Sequence, residues 1–142
     1  MALLEVAGLS TDIRLSRSVV HALDDVSFSV ESGETVGLVG ESGCGKTMTA
    51  MSIARLLPPG GHIVGGRVLF DDQDLVTLPE SRMQEIRGGD IGMIFQDPMT
   101  SLNPVQTIGE QVAEPLVLHR GMSRAQTREP VLEMLRLVGI PN

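Results

Sequence analysis

Tryptophan and tyrosine are absent from these 142 residues, and the aromatic side chains are three phenylalanines, Phe28, Phe70 and Phe95. Stacking a flat ligand on an aromatic ring is therefore hard to arrange. A single cysteine, Cys44, permits no internal disulfide. Positive charge is scarce too: 11 Lys+Arg face 18 Asp+Glu, for a formal net charge of −7. That balance argues against nucleic acid as the main partner, because binding a phosphate backbone needs a basic surface. No apolar run approaches the roughly 18 residues of a membrane span, and residues 1–10 lack both the basic start and the long apolar stretch of a leader. Together these absences predict a cytosolic chain. No internal repeat or low-complexity segment appears. The length suits one domain with one core, and a hydrophobic content of 42% is ordinary for a soluble protein.

Lysine is the scarcest charged residue. Lys46 is the one lysine among the 11 basic side chains, and all the others are arginine. It lies in Gly40-Glu41-Ser42-Gly43-Cys44-Gly45-Lys46-Thr47, which fits G-x-x-x-x-G-K-[ST], the phosphate-binding (Walker A) pattern, at every fixed position. The chemistry explains the exception. A loop wrapped closely around β- and γ-phosphates needs a compact ammonium on a thin stem, whereas a guanidinium is wider and holds its donors in a fixed fork. A chance match in a chain this rich in glycine is about one in a hundred. The context narrows it further. Residues 35–39 (Thr-Val-Gly-Leu-Val) read as a buried parallel strand. Residues 46–57 read as a helix with apolar Met51, Ile53, Ala54 and Leu57, stopped by Pro58-Pro59-Gly60-Gly61. Strand, glycine loop, helix is the order the motif requires.

Elsewhere, residues 3–9 predict a first strand, and Val26-Ser27-Phe28-Ser29-Val30 alternates as a half-buried strand does. Glu31-Ser32-Gly33-Glu34 turns into the strand that feeds the loop. Residues 67–70 predict another strand, and Asp71-Asp72-Gln73-Asp74 reads as a solvated turn rather than a metal site. Pro79 opens a short helix that ends at Gly88-Gly89. Residues 91–95 (Ile-Gly-Met-Ile-Phe) predict a second buried strand. Capping boxes at Thr107/Glu110 and Ser123/Gln126 start two further helices. The first carries Ile108, Val112 and Leu116 on one face, and Pro115 should kink or end it. The second carries Val131, Met134, Leu135 and Val138, contains Pro130, and stops at Gly139 and Pro141. Strands and helices alternating around a phosphate loop imply an α/β fold with a helical annex.

The segment Gly92-Met93-Ile94-Phe95-Gln96-Asp97-Pro98-Met99-Thr100-Ser101-Leu102-Asn103-Pro104 resembles the Q-loop of ATP-binding cassette (ABC) proteins, and in detail the ATPase subunits of oligopeptide, dipeptide and nickel importers. Residues 22–28 ahead of the phosphate loop, and Arg87-Gly88 ahead of the Ile91 strand, fit the same family. The resemblance covers essentially the whole chain. It implies a P-loop NTPase core with a mostly parallel sheet, a small antiparallel β-part and the start of a helical subdomain. Residues 1–96 would be the β/α core with the phosphate loop and Q-loop strand, and 97–142 the Q-loop and the start of the helical subdomain.

By this resemblance the ligand is ATP with Mg²⁺. Residues 40–47 would cradle the phosphates, with Lys46 on the β/γ oxygens, and Thr47 and Gln96 would ligate Mg²⁺. Gln96 would also help position the attacking water. An amide oxygen suits that place, being a neutral, hard ligand. The implied partners are transmembrane permease subunits and a second ATPase subunit, at the cytoplasmic face of the membrane. Two departures stand out. The family stacks adenine on an upstream aromatic residue, but no aromatic precedes Phe28, and Ile13 and His21 lie in the right region. Asp72 replaces a turn glycine, which Asp tolerates in a left-handed conformation. Neither a Leu-Ser-Gly-Gly signature nor an apolar strand ending in Asp-Glu occurs. The expectation is therefore the amino-terminal portion of an importer ATPase. The alternatives are a truncated nucleotide-binding module without ATPase activity of its own, and a small kinase, against which the Gln96 segment argues.

Overall fold

Alternation of apolar and polar residues drives the first half of the chain into one antiparallel sheet. In the computed structural model, which describes residues 2–97 and 101–140, β1 runs Ala2–Arg14 and β2 runs Val19–Glu31. They pair antiparallel from Ala2↔Glu31 to Arg14↔Val19. Both strands are far longer than the runs 3–9 and 26–30 predict, because the hairpin extends past the obvious hydrophobic stretches. β3 (Gly61–Phe70) pairs with the other edge of β1, and β4 (Gln73–Asp74) follows, giving the order β2-β1-β3-β4. β1 bulges between Val6 and Leu9. There Gly8 has φ 63°, and a Cβ on the facing Gly66 would collide with the Gly8 carbonyl. Only glycine permits that approach. At the Asp71-Asp72 turn φ is 46° and 61°, the left-handed conformation that Asp tolerates.

The chain forms two compact units, Met1–Met83 and Gln84–Asn142. Val6, Leu9, Leu23, Ala54, Val68, Leu75 and Met83 are the buried apolar side chains of the first. Its helix, α1, spans Lys46–Ile53 and is shorter than the predicted 46–57. Arg55 breaks it at φ 52°. The Arg55 guanidinium bonds the carbonyls of Leu75 (3.1 Å) and Leu78 (2.6 Å) and pairs with Glu80 at 3.3 Å, and Pro58 biases Leu57 away from helix. The face that α1 buries is also not the apolar one: its buried residues are Thr49 and Ser52.

Two expected strands do not form. Residues 35–39 join no ladder, and Val39 is 91% exposed. In residues 91–95 the pairing is a lone parallel bridge, Arg87↔Ile91, and Ile94 is 99% exposed. The composition is that of buried strands, but a strand also needs a neighbour. Both edges of β1 are taken by β2 and β3, and among the described residues the Arg87↔Ile91 bridge is the one parallel pairing. The antiparallel β-part is this four-stranded sheet, and among the described residues the parallel part is represented by one bridge.

Helix α2 (Glu80–Gly89) loses helical geometry at Arg87, where ψ is 112°, and at Gly88, where φ is 87°, so regular helix stops at Ile86, just ahead of the predicted glycines. In the second unit, α3 (Ile108–Arg120) and α4 (Arg124–Leu137) form a helical hairpin. Gly121 turns the corner at φ 61°, and the Met122 N–H closes on the Leu116 carbonyl at 3.2 Å. Both capping boxes are present. Helix α3 does not end at Pro115 but runs on to Arg120, and α4 likewise runs through Pro130. Each proline forfeits one backbone bond, and caps at the start of both helices with packing between them outweigh that loss. Gly139 (φ 78°) ends α4, the Ile140 N–H reaching the Leu135 carbonyl at 2.9 Å. Pro141 lies outside the described residues.

Candidate functional site

The glycine loop folds back on the start of α1, and its shape follows from three residues. Gly45 is the N-cap with φ 95°. A Cβ there would lie 3.0 Å from Leu23 Cδ2 and 3.2 Å from the Ala22 carbonyl, so both backbone and space demand glycine. Gly43 also has positive φ, 84°, and faces open space. The third residue is Lys46. Its ammonium donates to the carbonyls of Gly40 (2.8 Å) and Glu41 (2.7 Å) and approaches Cys44 Sγ at 3.4 Å. Three donors thus meet three loop atoms, and the positive charge is seated inside the turn. Residues 40–44 and Thr47 are exposed, and Cys44 is a free, exposed thiol.

Electrostatics favour an anion at this end of α1. The first N–H groups of a helix have no carbonyl partner within it, and the macrodipole places partial positive charge there. No acidic side chain occupies the first turn to compete for those donors. The helix is fixed to the sheet by a buried pair of hydroxyls, Thr11 Oγ1 and Ser52 Oγ, 2.9 Å apart with both residues 0% exposed. Sequence reasoning missed this anchor, having noted only the apolar Met51, Ile53, Ala54 and Leu57 in this helix, of which Ala54 is buried.

Of the two side chains in the region expected to meet a base, the structure separates Ile13 from His21. His21 pairs with Asp12 across the strands and bonds its carboxylate at 2.7 Å. Ile13 lies two residues beyond Thr11 in a regular stretch of β1, and hence on the face that meets α1. Ile13 shares the phosphate-loop side; His21 belongs to the other.

Gln96, in the second unit, is exposed in a bend after the Ile91 bridge. Pro98, Met99 and Thr100 of the same predicted loop lie outside the described residues. The loop resumes at Ser101, whose hydroxyl donates to the Asp97 carbonyl at 3.2 Å. The turn that follows leans on Gln111 of α3, whose side-chain amide bonds the backbone of Asn103 and Gln106. Gln111 was not read from the sequence. The available signal was an Asn-Pro turn just upstream of a helix cap, with an amide in the first turn of that helix. At the cap itself, hydrogen bonds from the Thr107 hydroxyl and backbone N–H hold the Glu110 carboxyl below its ordinary range.

The chain matches the family described as ABC transporter over residues 23–142. It is 54% identical over 139 residues to a probable peptide ABC transporter ATP-binding protein of Sinorhizobium fredii, covering 97% of this chain and 42% of that protein. It is 49% identical over 140 residues to the dipeptide transport ATP-binding protein DppD of Bacillus subtilis, covering 98% and 42%. Among solved structures it resembles the dimeric post-hydrolysis state of the ATP-binding cassette MJ0796 bound to ADP and Pi, with a TM-score of 0.79, 29% identity, and coverage of 94% of this chain and 56% of that one. The chain spans less than half the length of the two curated relatives.

Proposed function

The chain belongs to the ABC transporter family, and on that premise we propose that it is the nucleotide-binding part of an importer ATPase subunit for peptides or dipeptides. One observation carries the reading: the Lys46 ammonium is seated in a glycine turn at the N-terminus of α1, bonded to the Gly40 and Glu41 carbonyls. The loop fits a nucleotide polyphosphate. Gly43 and Gly45 adopt the positive φ that turns backbone N–H groups toward one concavity, an anion nest. Gly40, Glu41, Ser42, Gly43, Cys44 and Gly45 would wrap the phosphates, and Lys46 would exchange loop carbonyls for phosphate oxygens. Thr47 offers a hydroxyl and Gln96 an amide oxygen, both hard donors of the kind Mg²⁺ takes. When bound, Mg²⁺ supplies positive charge against the β- and γ-phosphates. The adenine would pack on the Ile13 side of β1, an aliphatic surface in place of a ring.

In this reading residues 1–96 are the β/α core and 97–142 the Q-loop with the start of the helical subdomain. Lys46 and Gln96 take part in hydrolysis in the assembled enzyme, where a second ATPase subunit closes over the γ-phosphate and transmembrane permease subunits respond through the Gln96 loop. The subunit works peripherally at the cytoplasmic face of the membrane; among the described residues no helix is long and apolar enough to cross one. Two relatives support peptide cargo by name: the DppD protein and the oligopeptide transport ATP-binding protein OppD of Bacillus subtilis. They carry no argument for nickel.

The test is titration of a fluorescent ATP analogue with Mg²⁺. Lys46→Ala should weaken binding roughly ten- to hundredfold, the worth of a hydrogen-bonded charge. Lys46→Arg should recover little, because the fork does not enter the turn where a single ammonium satisfies three loop atoms. Wild-type affinity in Lys46→Arg would refute the steric argument, and wild-type affinity in both variants would refute the site. Binding without any hydrolysis in the full-length protein would favour a nucleotide-binding module over an ATPase.

A further inference from the structure

The turn that follows Gln96 is held in a way its own stability does not require. Asn103 opens a β-turn closed by the Gln106 N–H on the Asn103 carbonyl at 3.2 Å. Pro104 presets φ at the second position, and Asn103 Oδ1 accepts the Val105 N–H at 3.1 Å. That much is a self-sufficient turn. Gln111 then adds three bonds. Its Oε1 accepts the Asn103 N–H at 2.7 Å, and its Nε2 donates to the Asn103 carbonyl at 2.9 Å and the Gln106 carbonyl at 3.1 Å. Both ends of the turn are thereby fastened to the first turn of α3, which the Thr107/Glu110 box itself stabilises.

The clamp yields no burial in return. Val105, at the tip of the turn, is 86% exposed, and Leu102 beside it is exposed as well. Val105 is therefore carried on a triply bonded turn with little of the described chain covering it, and Leu102, next to that turn, is about half exposed. A rigid apolar tip lowers the ordering cost of an encounter with another protein.

We infer that Gln111 is a positioning residue, which fixes the Asn103–Gln106 turn so that Leu102 and Val105 meet the transmembrane partner in one geometry. This inference rests on the importer reading. It predicts that transport depends on the side-chain amide of Gln111 although that amide has no part in holding nucleotide.

Three variants of the full-length subunit assembled with its permease in lipid vesicles test it: Gln111→Leu, Gln111→Glu and Val105→Asp. Three readouts are needed: amide hydrogen exchange over residues 101–107, MgATP affinity of the isolated subunit, and peptide uptake. With the clamp gone, Gln111→Leu should speed exchange at Asn103 about tenfold and lower uptake by about as much, since each net hydrogen bond is worth about a factor of five to ten. MgATP affinity should stay within about twofold, since the chemistry of the loop is untouched. Gln111→Glu keeps the acceptor and loses the donors, so it should fall between. Val105→Asp should lower uptake without faster exchange. Faster exchange with normal uptake in Gln111→Leu would overturn the positioning role and leave the importer reading standing. An equal loss of MgATP affinity would overturn it too, showing general destabilisation instead. Nucleotide binding without permease-dependent uptake in the wild type would overturn both.

Discussion

Replacing Ser52 by alanine is the most direct probe of how the phosphate loop is held in place. Ser52 Oγ and Thr11 Oγ1 lie 2.9 Å apart, with neither residue accessible to solvent, and no buried side-chain polar atom among the described residues goes without a hydrogen bond. Deleting one hydroxyl strands the other away from water. The expected cost is about 1–3 kcal/mol, the penalty for an unsatisfied buried group. Thr11→Val keeps the shape of the side chain and strands Ser52 instead, so its cost should be similar. The double variant removes both groups, leaves nothing unsatisfied, and should be no worse than either single change. The interaction energy in the cycle should therefore be about 1–3 kcal/mol, well above the few tenths seen for independent sites. Urea unfolding at neutral pH measures all four proteins, and an unchanged denaturant slope would show that the unfolded state is comparable across them. Since α1 carries Lys46, the single variants should also bind MgATP more weakly than the double variant does. Strictly additive costs would refute the argument and mean that shape, not the hydroxyl pair, locates the helix.

Other outcomes follow from the same geometry. Hydrogen bonds from Thr107 depress the Glu110 pKa on folding, so the folded state binds this proton less readily than the unfolded chain. The capping contribution is then complete above the ordinary carboxylate range and is lost as pH falls through the depressed folded value. A Glu110→Gln variant, which keeps a neutral cap, should be less stable than the wild type at neutral pH and match it in acid, read by urea midpoints against pH; a constant gap would show that charge is irrelevant to the cap. Cys44 is exposed and 3.4 Å from the Lys46 ammonium, so a thiol reagent should label it, and MgATP should protect it. Equal labelling with and without nucleotide, by mass spectrometry, would separate the thiol from the site.

What was legible in the sequence was local. The phosphate-loop pattern is legible because it is written in eight consecutive residues, and the Lys46 contacts to Gly40 and Glu41 span only five or six positions. The capping boxes are local in the same way, each spanning three residues. The anchor of α1 was illegible because its partners stand 41 residues apart, and a serine at helix position 52 gives no hint that its hydroxyl is buried against the sheet. Gln111 was illegible for a different reason. A glutamine in the first turn of a helix is ordinary, and its meaning comes from a turn eight residues upstream.

The two missing strands mark the sharper limit. Residues 35–39 and 91–95 have the residues of buried parallel strands, yet hydrophobic composition states only that a segment will be buried, not what buries it. A ladder is a relation between two segments, and among the described residues these two have only the Arg87↔Ile91 bridge. For the phosphate loop the consequence is that its position is determined from downstream. Upstream, Val39 is 91% exposed and without a ladder. Downstream, the Gly45 backbone lies so close to Leu23 and Ala22 that no Cβ would fit comfortably, and α1 is tied to β1 through Ser52 and Thr11. The loop between these ends is drawn together by the Lys46 ammonium. The side chain proposed to neutralise phosphate therefore also closes the loop through the carbonyls of Gly40 and Glu41, and an arginine there would have to satisfy both roles with a planar group.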